Sequence, residues 1–292
     1  MTTVRVAVPR KGRPLEAVLN RLSGRFGVAD GVADEIASTL RYEKAITKGN
    51  VDADGDVYER LADYSAPGEP YGPEYTLFRD ARSGMPRRIV FDSLRIDLDE
   101  IELQLIGREE PVRALRKHEF ALGFDSADLV LEDVVSLAPE PLATLGEIND
   151  RIDPRESDVR VVGGLGDTVY HTLLSAPDVS ENPTRSFLER YEGPLCISPR
   201  YERLVEAVLG SDATDGIVFR YPGDREEEAA IESVGLGVYL TVTGSTAREH
   251  GLRVGEELFP SETVLLENPT ESSAAAERTA NDLVDGIGVP AC

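Results

Sequence analysis

The chain has 292 residues and a formal charge of −23, from 54 acidic against 31 basic side chains. A chain this long can bury roughly three quarters of its unfolded surface, so it needs no disulfide staples, and no apolar run approaches the ~18 residues that span a bilayer. At 41% hydrophobic and 29% charged it is globular rather than disordered or fibrous, and its acidity repels the phosphate backbone of nucleic acids.

Taken in chain order, Val4–Val8 reads as a short strand ending at Pro9. A basic turn, Arg10 to Arg13, leads into a helix from about Pro14 to Leu22, with Leu15, Val18, Leu19 and Leu22 on one face. From about residue 45 to 85 the pattern dissolves into Asp-, Gly- and Pro-rich text, which predicts an exposed insertion with little regular structure. Strand signals return at Arg88–Phe91 and Ile101–Ile106. A helix over Glu110–Lys117 precedes the strand-like Phe120–Phe124, and Leu129–Val135 is apolar again. Residues 144–158 are polar and read as a crossing between units. Beyond them, strands are expected at Val159–Val162, Val169–Leu174, Pro194–Ser198, Gly216–Arg220, Val238–Val242 and Thr263–Leu266. Helices are expected at Arg200–Leu209, Glu226–Ile231 and Ser272–Val284. Strand and helix alternate over the whole length, which predicts a two-lobed α/β protein.

The basic side chains are skewed, with four lysines (Lys11, Lys44, Lys48, Lys117) among the 31. Many carboxylates and few lysines suit concentrated salt, where a Debye length of about 3 Å at 1 M removes self-repulsion, the competing reading being an ordinary acidic cytosolic protein. The N-terminal residues lack the charged start, apolar core and cleavage site of a secretory signal. Cys196 and Cys292 form no metal-ligand pattern, so a reduced cytoplasm is the expected compartment.

Three segments could carry chemistry. Tyr239 to Thr246 runs as a strand into Thr243-Gly244-Ser245-Thr246 and then a helix start. Small residues there let backbone N–H groups turn inward and three hydroxyls add donors, so the loop can hold a phosphate. The competing reading is an ordinary helix cap, since Ser and Thr are preferred at such positions. The turn Arg10-Lys11-Gly12-Arg13 sets three cations around a glycine at the carboxyl end of a strand, either to receive an anion or as a solvated turn. Gly223-Asp224-Arg225-Glu226 opens a helix with acid, which electrostatics alone would favour. His118, His171 and His250 fall in no cluster with acids or cysteines at ligand spacing, and each is expected to be structural or exposed. No Ser-His-Asp signature, zinc motif or Walker loop is present.

Read together and in order, these pieces resemble the ATP phosphoribosyltransferase family of histidine biosynthesis. The opening Val-Ala-Val-Pro-Arg-Lys-Gly-Arg is similar to that family's start, Phe120–Glu132 to its Asp-containing first-lobe segment, and Leu165–Pro177 to a strand crossing between lobes. The C-terminal half matches best: Gly223-x-x-Glu226, then Thr243–Thr246 at the family spacing, then the segments after Glu249 and Ser261. The resemblance implies two α/β lobes like type II periplasmic binding proteins, with a ligand cleft between them. Lobe I would be residues 1–168 plus 253–292, with the insertion at about 45–90, and lobe II residues 169–252. It also implies transfer of phosphoribosyl from phosphoribosyl pyrophosphate to ATP with Mg²⁺ present, the metal taking no ligand from protein side chains. Thr243, Gly244, Ser245 and Thr246 would hold the sugar phosphate, and Arg10, Lys11 and Arg13 would be cleft cations.

Several positions depart from the family pattern. Tyr239 stands where the family has an aspartate for the ribose hydroxyls, Glu232 replaces a glycine, and Ala247 a leucine. Tyr239 and Glu226 are therefore the candidate catalytic residues, and a non-catalytic sugar-phosphate binding protein or sensor, or a transferase with another acceptor, is the alternative. The chain after Thr246 is too short for the regulatory domain of long-form relatives. A homo-oligomer or a synthetase-like regulatory subunit is the expected partner, with no nucleic acid and no membrane.

Overall fold

The structure, a computed structural model, describes residues 1–27, 31–79, 88–98, 100–179, 181–223 and 225–284. Its contacts divide it into two α/β units, as expected. The first takes Met1–Asp125, Val162–Leu165 and the chain from Thr263, and the second Ser126–Val161 and Gly166–Glu262.

The first unit opens with β1 (Thr2–Pro9) and α1 (Arg13–Phe26). Leu15, Val18, Leu19 and Leu22 are buried, so the spacing read from the sequence is the packed face. The helix runs one turn beyond the expected end and stops at Gly27, whose left-handed backbone (φ 59°) lets its N–H reach the Ser23 carbonyl. Next come α2 (Val32–Thr47), α3 (Val57–Tyr64), β2 (Glu74–Phe78), β3 (Arg88–Leu98), β4 (Ile101–Arg108), α4 (Pro111–Arg116) and β5 (Leu122–Ser126).

The expectation of an irregular insertion over 45–90 is overturned for its described part. Asp56 caps α3 by accepting from the N–H of Tyr58 and of Glu59, while the Glu59 carboxylate accepts from the Asp56 N–H. β2 pairs antiparallel with β3, and Tyr75 is buried against the core. Residues 80–87 lie outside the described set. The segment folds because Val57, Leu61, Tyr64, Tyr71, Tyr75 and Leu77 pack on the same core despite the polar text between them, while Val51 and Tyr58 stay exposed.

In the second unit follow α5 (Ala127–Val134), β6 (Arg160–Gly164, whose last residues belong to the first unit), β7 (Val169–Ser175), α6 (Arg185–Leu188), β8 (Gly193–Cys196) and α7 (Glu202–Leu209). Then come α8 (Ser211–Thr214), β9 (Ile217–Arg220), α9 (Glu227–Val234), β10 (Leu236–Thr241), α10 (Ser245–Glu249) and β11 (Arg253–Ser261). β12 (Thr263–Glu267) and α11 (Ala274–Val284) return to the first unit.

The first unit's sheet has the order β2-β3-β4-β1-β5-β12-β6, with β1 parallel to β4 and β5. The second has β11-β7-β10-β8-β9, antiparallel at β11-β7 and β7-β10 and parallel at β10-β8 and β8-β9.

Three stretches differ from the expected lobes, the shortest being 166–168, which falls in the second unit. Residues 126–161, expected in the first lobe, join the second unit because α5 buries Val130, Leu131 and Val134 in packing against α7. Residues 253–262 do so because β11 pairs with β7 along its length. β11 escapes sequence reading because two register shifts, between Val254 and Glu257 and between Glu257 and Phe259, break its alternation. Among the described residues no helix is long and apolar enough to cross a membrane.

Candidate functional site

β10 delivers the Thr243–Thr246 loop to the start of α10 at one end of the second sheet. Gly244, rather than a Ser or Thr, occupies the cap position, with φ 66° in the left-handed region, and the first N–H of the helix, that of Ser245, donates to Thr243 Oγ1 at 3.4 Å. A Cβ on Gly244 would meet Val254 Cγ2 at 2.9 Å, so both the backbone angle and the packing require glycine. The Thr243 and Ser245 hydroxyls pair at 3.0 Å, and Thr246 is exposed on the first turn. Arg248 Nη1 donates to the Thr243 carbonyl at 2.8 Å, which pins the loop and places a cation beside it.

The loop walls a cavity of about 230 Å³ together with Glu228, Tyr239, Leu240, Thr241, Val242 and Ala247. Thr241 and the buried Thr172 share a hydroxyl–hydroxyl bond of 2.6 Å across the β10-β7 pair, which holds this wall in place. Tyr239 is half-buried. Burial pushes its phenol above the ordinary value, and Glu227, Glu228 and Glu226 push it further, so it stays protonated near neutral pH.

The two residues singled out from the sequence for this place separate. Tyr239 lines the cavity, whereas the Glu226 side chain is 81% exposed and lies 3.9 Å from His250 instead. The carboxylate in the wall is Glu228, only 8% exposed. Glu228 and Arg248 are the residues that sequence reading missed. Glu228 was hidden in a run of three glutamates, and Arg248 falls four residues after Gly244, a helical spacing that could have flagged it. Glu232 is exposed and does not line the cavity. Asp224 lies outside the described residues, as does Cys292.

Arg10, Lys11 and Arg13 belong to the first unit. Arg10 lies 3.4 Å from Asp92, and its Nε is buried without a hydrogen-bond partner among the described residues. Lys11 is 3.6 Å from Glu109 and 5.2 Å from the Phe78 ring centre. Partly exposed pairs of this length contribute little to stability and are readily exchanged for a stronger anion. Gly12, at φ 85°, turns the chain into α1, whose first residue is Arg13.

The histidines each face an acid distant in sequence. His118 Nδ1 is 3.0 Å from Glu271, and His250 faces Glu226. His171 Nε2 is 3.4 Å from Asp128, both only 2% exposed. Burial disfavours the Asp128 carboxylate, but the hydrogen bond and charge of His171 outweigh it and hold its pKa at about 2. Cys196 is buried, and burial pushes its thiol up, which disfavours the thiolate. Among the described residues no three His, Cys, Asp or Glu side chains form a metal-binding group.

Among solved structures the chain is similar to an ATP phosphoribosyl transferase (HisG:HisZ) complex from Thermotoga maritima, at 15% identity over 96% of each chain and a TM-score of 0.45. It is also similar to the VFT2 domain of Bordetella pertussis BvgS, at 11% identity, 98% and 88% coverage and a TM-score of 0.39. A third likeness is to an ABC-type phosphate transport receptor from Vibrio cholerae, at 8% identity, 64% and 83% coverage and a TM-score of 0.36. No curated protein matches the sequence. Residues 1–287 match the family model of the halobacterial ATP phosphoribosyltransferases, and the chain belongs to that family.

Proposed function

We propose that the protein transfers phosphoribosyl from phosphoribosyl pyrophosphate to ATP, in the cytoplasm and in concentrated salt. The observation that supports this reading is the cavity of the second unit, which a glycine-capped hydroxyl loop lines together with the buried Glu228. In the reaction, the lone pair of adenine N1 forms a bond to C1 of the sugar as the C1–O bond to pyrophosphate breaks. Such a displacement needs two anions held in line and their charge neutralised, and it needs no nucleophilic side chain. The Thr243–Thr246 loop would hold the sugar 5-phosphate through its N–H groups and hydroxyls, and Arg10, Lys11 and Arg13 of the first unit would be phosphate-binding cations.

Mg²⁺ fits this donor set as an ion that arrives on the diphosphate. It is commonly held by substrate phosphates and water, and in this reading it takes no ligand from protein side chains. When bound, it would neutralise the departing pyrophosphate. A partner chain, either a second copy or a synthetase-like subunit, would carry any regulation.

A second reading has one observation in its favour. Tyr239 lines the cavity where the family resemblance implies an aspartate, so a non-catalytic sugar-phosphate sensor is the rival. Calorimetry with phosphoribosyl pyrophosphate and Mg²⁺ in molar salt, followed by a pyrophosphate-release assay with ATP, separates the two. Binding with turnover is expected. Binding without turnover selects the sensor or another acceptor, and no binding at millimolar ligand removes both.

A further inference from the structure

The basic turn after β1 is backed by the antiparallel pair β2–β3, all within the first unit. Three contacts join them. The Phe91 N–H donates to the Arg10 carbonyl at 3.1 Å, and Asp92, also on β3, lies 3.4 Å from the Arg10 guanidinium. Phe78, the last residue of β2, sets the centre of its ring 5.2 Å from Lys11 Nζ. Gly107 on β4 leaves room for this arrangement, since a Cβ there would meet the Phe91 carbonyl oxygen at 2.5 Å and Arg10 Cγ at 3.0 Å. β2 is the edge strand of its sheet and lies in the insertion, so that polar stretch delivers one aromatic ring to the turn.

Lys11 therefore has two neighbours of different kinds. Glu109 Oε2, 3.6 Å away, balances the ammonium charge but would repel an arriving phosphate and must give way to it. Phe78 attracts the ammonium through the negative face of its ring and carries no net charge, so it can keep hold of the lysine while a phosphate binds. A long lysine stem loses rotamer freedom when a ligand fixes it, and a ring that already holds it removes part of that cost.

We infer that Phe78 is a positioning residue, holding the Lys11 ammonium for a phosphate without setting a negative charge against that phosphate. The inference rests on the phosphate-binding role given to the basic turn above, and adds the residue of the insertion that orders it.

The test is calorimetric titration of the full chain with phosphoribosyl pyrophosphate and Mg²⁺ in molar salt. It uses the wild type, Phe78→Leu, Phe78→Tyr, Lys11→Met and the double variant Lys11→Met with Phe78→Leu, with thermal unfolding to confirm that each is folded. Phe78→Leu keeps an apolar side chain and removes the aromatic face, and is expected to weaken binding by about 2- to 5-fold, the scale of an exposed cation–π contact. Phe78→Tyr should bind as the wild type does. Lys11→Met should weaken binding further, and in that background Phe78→Leu should have no additional effect, because the ring has no cation left to hold. Phe78→Met carries the same cycle if the Leu variant fails to fold. Unchanged affinity in Phe78→Leu, or an equal loss with and without Lys11, overturns the inference and leaves the role of the basic turn standing. If the wild type binds no ligand, or Lys11→Met binds as tightly as the wild type, the reading of the basic turn falls and the inference with it.

Discussion

In the first unit, Glu43, Arg60 and Tyr64 close on one another; in the second, the loop at Thr243–Thr246 turns its polar groups outward. Arg60 Nε and Nη2 reach the two Glu43 oxygens at 2.7 and 3.2 Å, Nη1 takes the Gly55 carbonyl, and the Tyr64 hydroxyl donates to Glu43. The guanidinium is held above its ordinary pKa chiefly by the Glu43 hydrogen bond, and burial with the Glu43 charge pushes the Tyr64 phenol up to about 12. Charges are finished inside the protein there, and the cluster ties α2 to α3. At the loop, by contrast, the backbone is held by Gly244 and Arg248 while hydroxyls stay exposed. A closed polar cluster stabilises a fold, and an open one on a rigid frame is available to a ligand.

The sharpest way to break this comparison is Arg60→Ala. It strands a buried carboxylate, so unfolding by urea should show a loss of about 3–5 kcal/mol, the same with or without ligand. A loss below about 1 kcal/mol would mean that Glu43 finds water and the cluster is not closed. The second unit has a buried acid–base pair in His171 and Asp128, whose Oδ1 has no hydrogen-bond partner among the described residues, and pH tests it. The Asp128 carboxyl lies below its ordinary 3.8 in the folded protein. Stability from the pair is therefore complete above about pH 4 and is lost as pH falls toward 2. Acid unfolding of His171→Leu should lack that dependence; an identical acid profile would show that the pair contributes no stability.

Thr246→Ala addresses the open cluster. It should weaken sugar-phosphate binding by about 1–3 kcal/mol and leave unfolding unchanged within about 0.5 kcal/mol. Unchanged affinity would return the loop to the status of a helix start. The smallest expected effect is Asp56→Ala, which removes the capping box of α3 and should cost about 1 kcal/mol of stability with no effect on ligand affinity. A ligand effect there would contradict the separation of the two regions.

Much of the frame was legible. The 15, 18, 19, 22 spacing marks the buried stripe of α1, and Thr-Gly-Ser-Thr after an apolar run marks a strand, turn and helix. α3 was masked by Asp- and Gly-rich text, although Asp56 and Glu59 carry the spacing of its cap. The partners of Arg60 and His171 were invisible because Glu43 and Asp128 lie 17 and 43 residues away.

The order and spacing of the segments, the α/β alternation and the glycine-capped loop were determined by the sequence itself, because they depend on neighbours along the chain. Which glutamate enters the cavity was decided only by tertiary structure. Glu226, Glu227 and Glu228 are chemically equal in the text, but a helix turns about 100° per residue, so successive side chains face different surroundings. The fold exposes the first and buries the third beside Tyr239. The cations of the basic turn follow the same logic: the sequence supplies Arg10 and Lys11, and the folding of β3 and the end of β4 brings Asp92 and Glu109 to them.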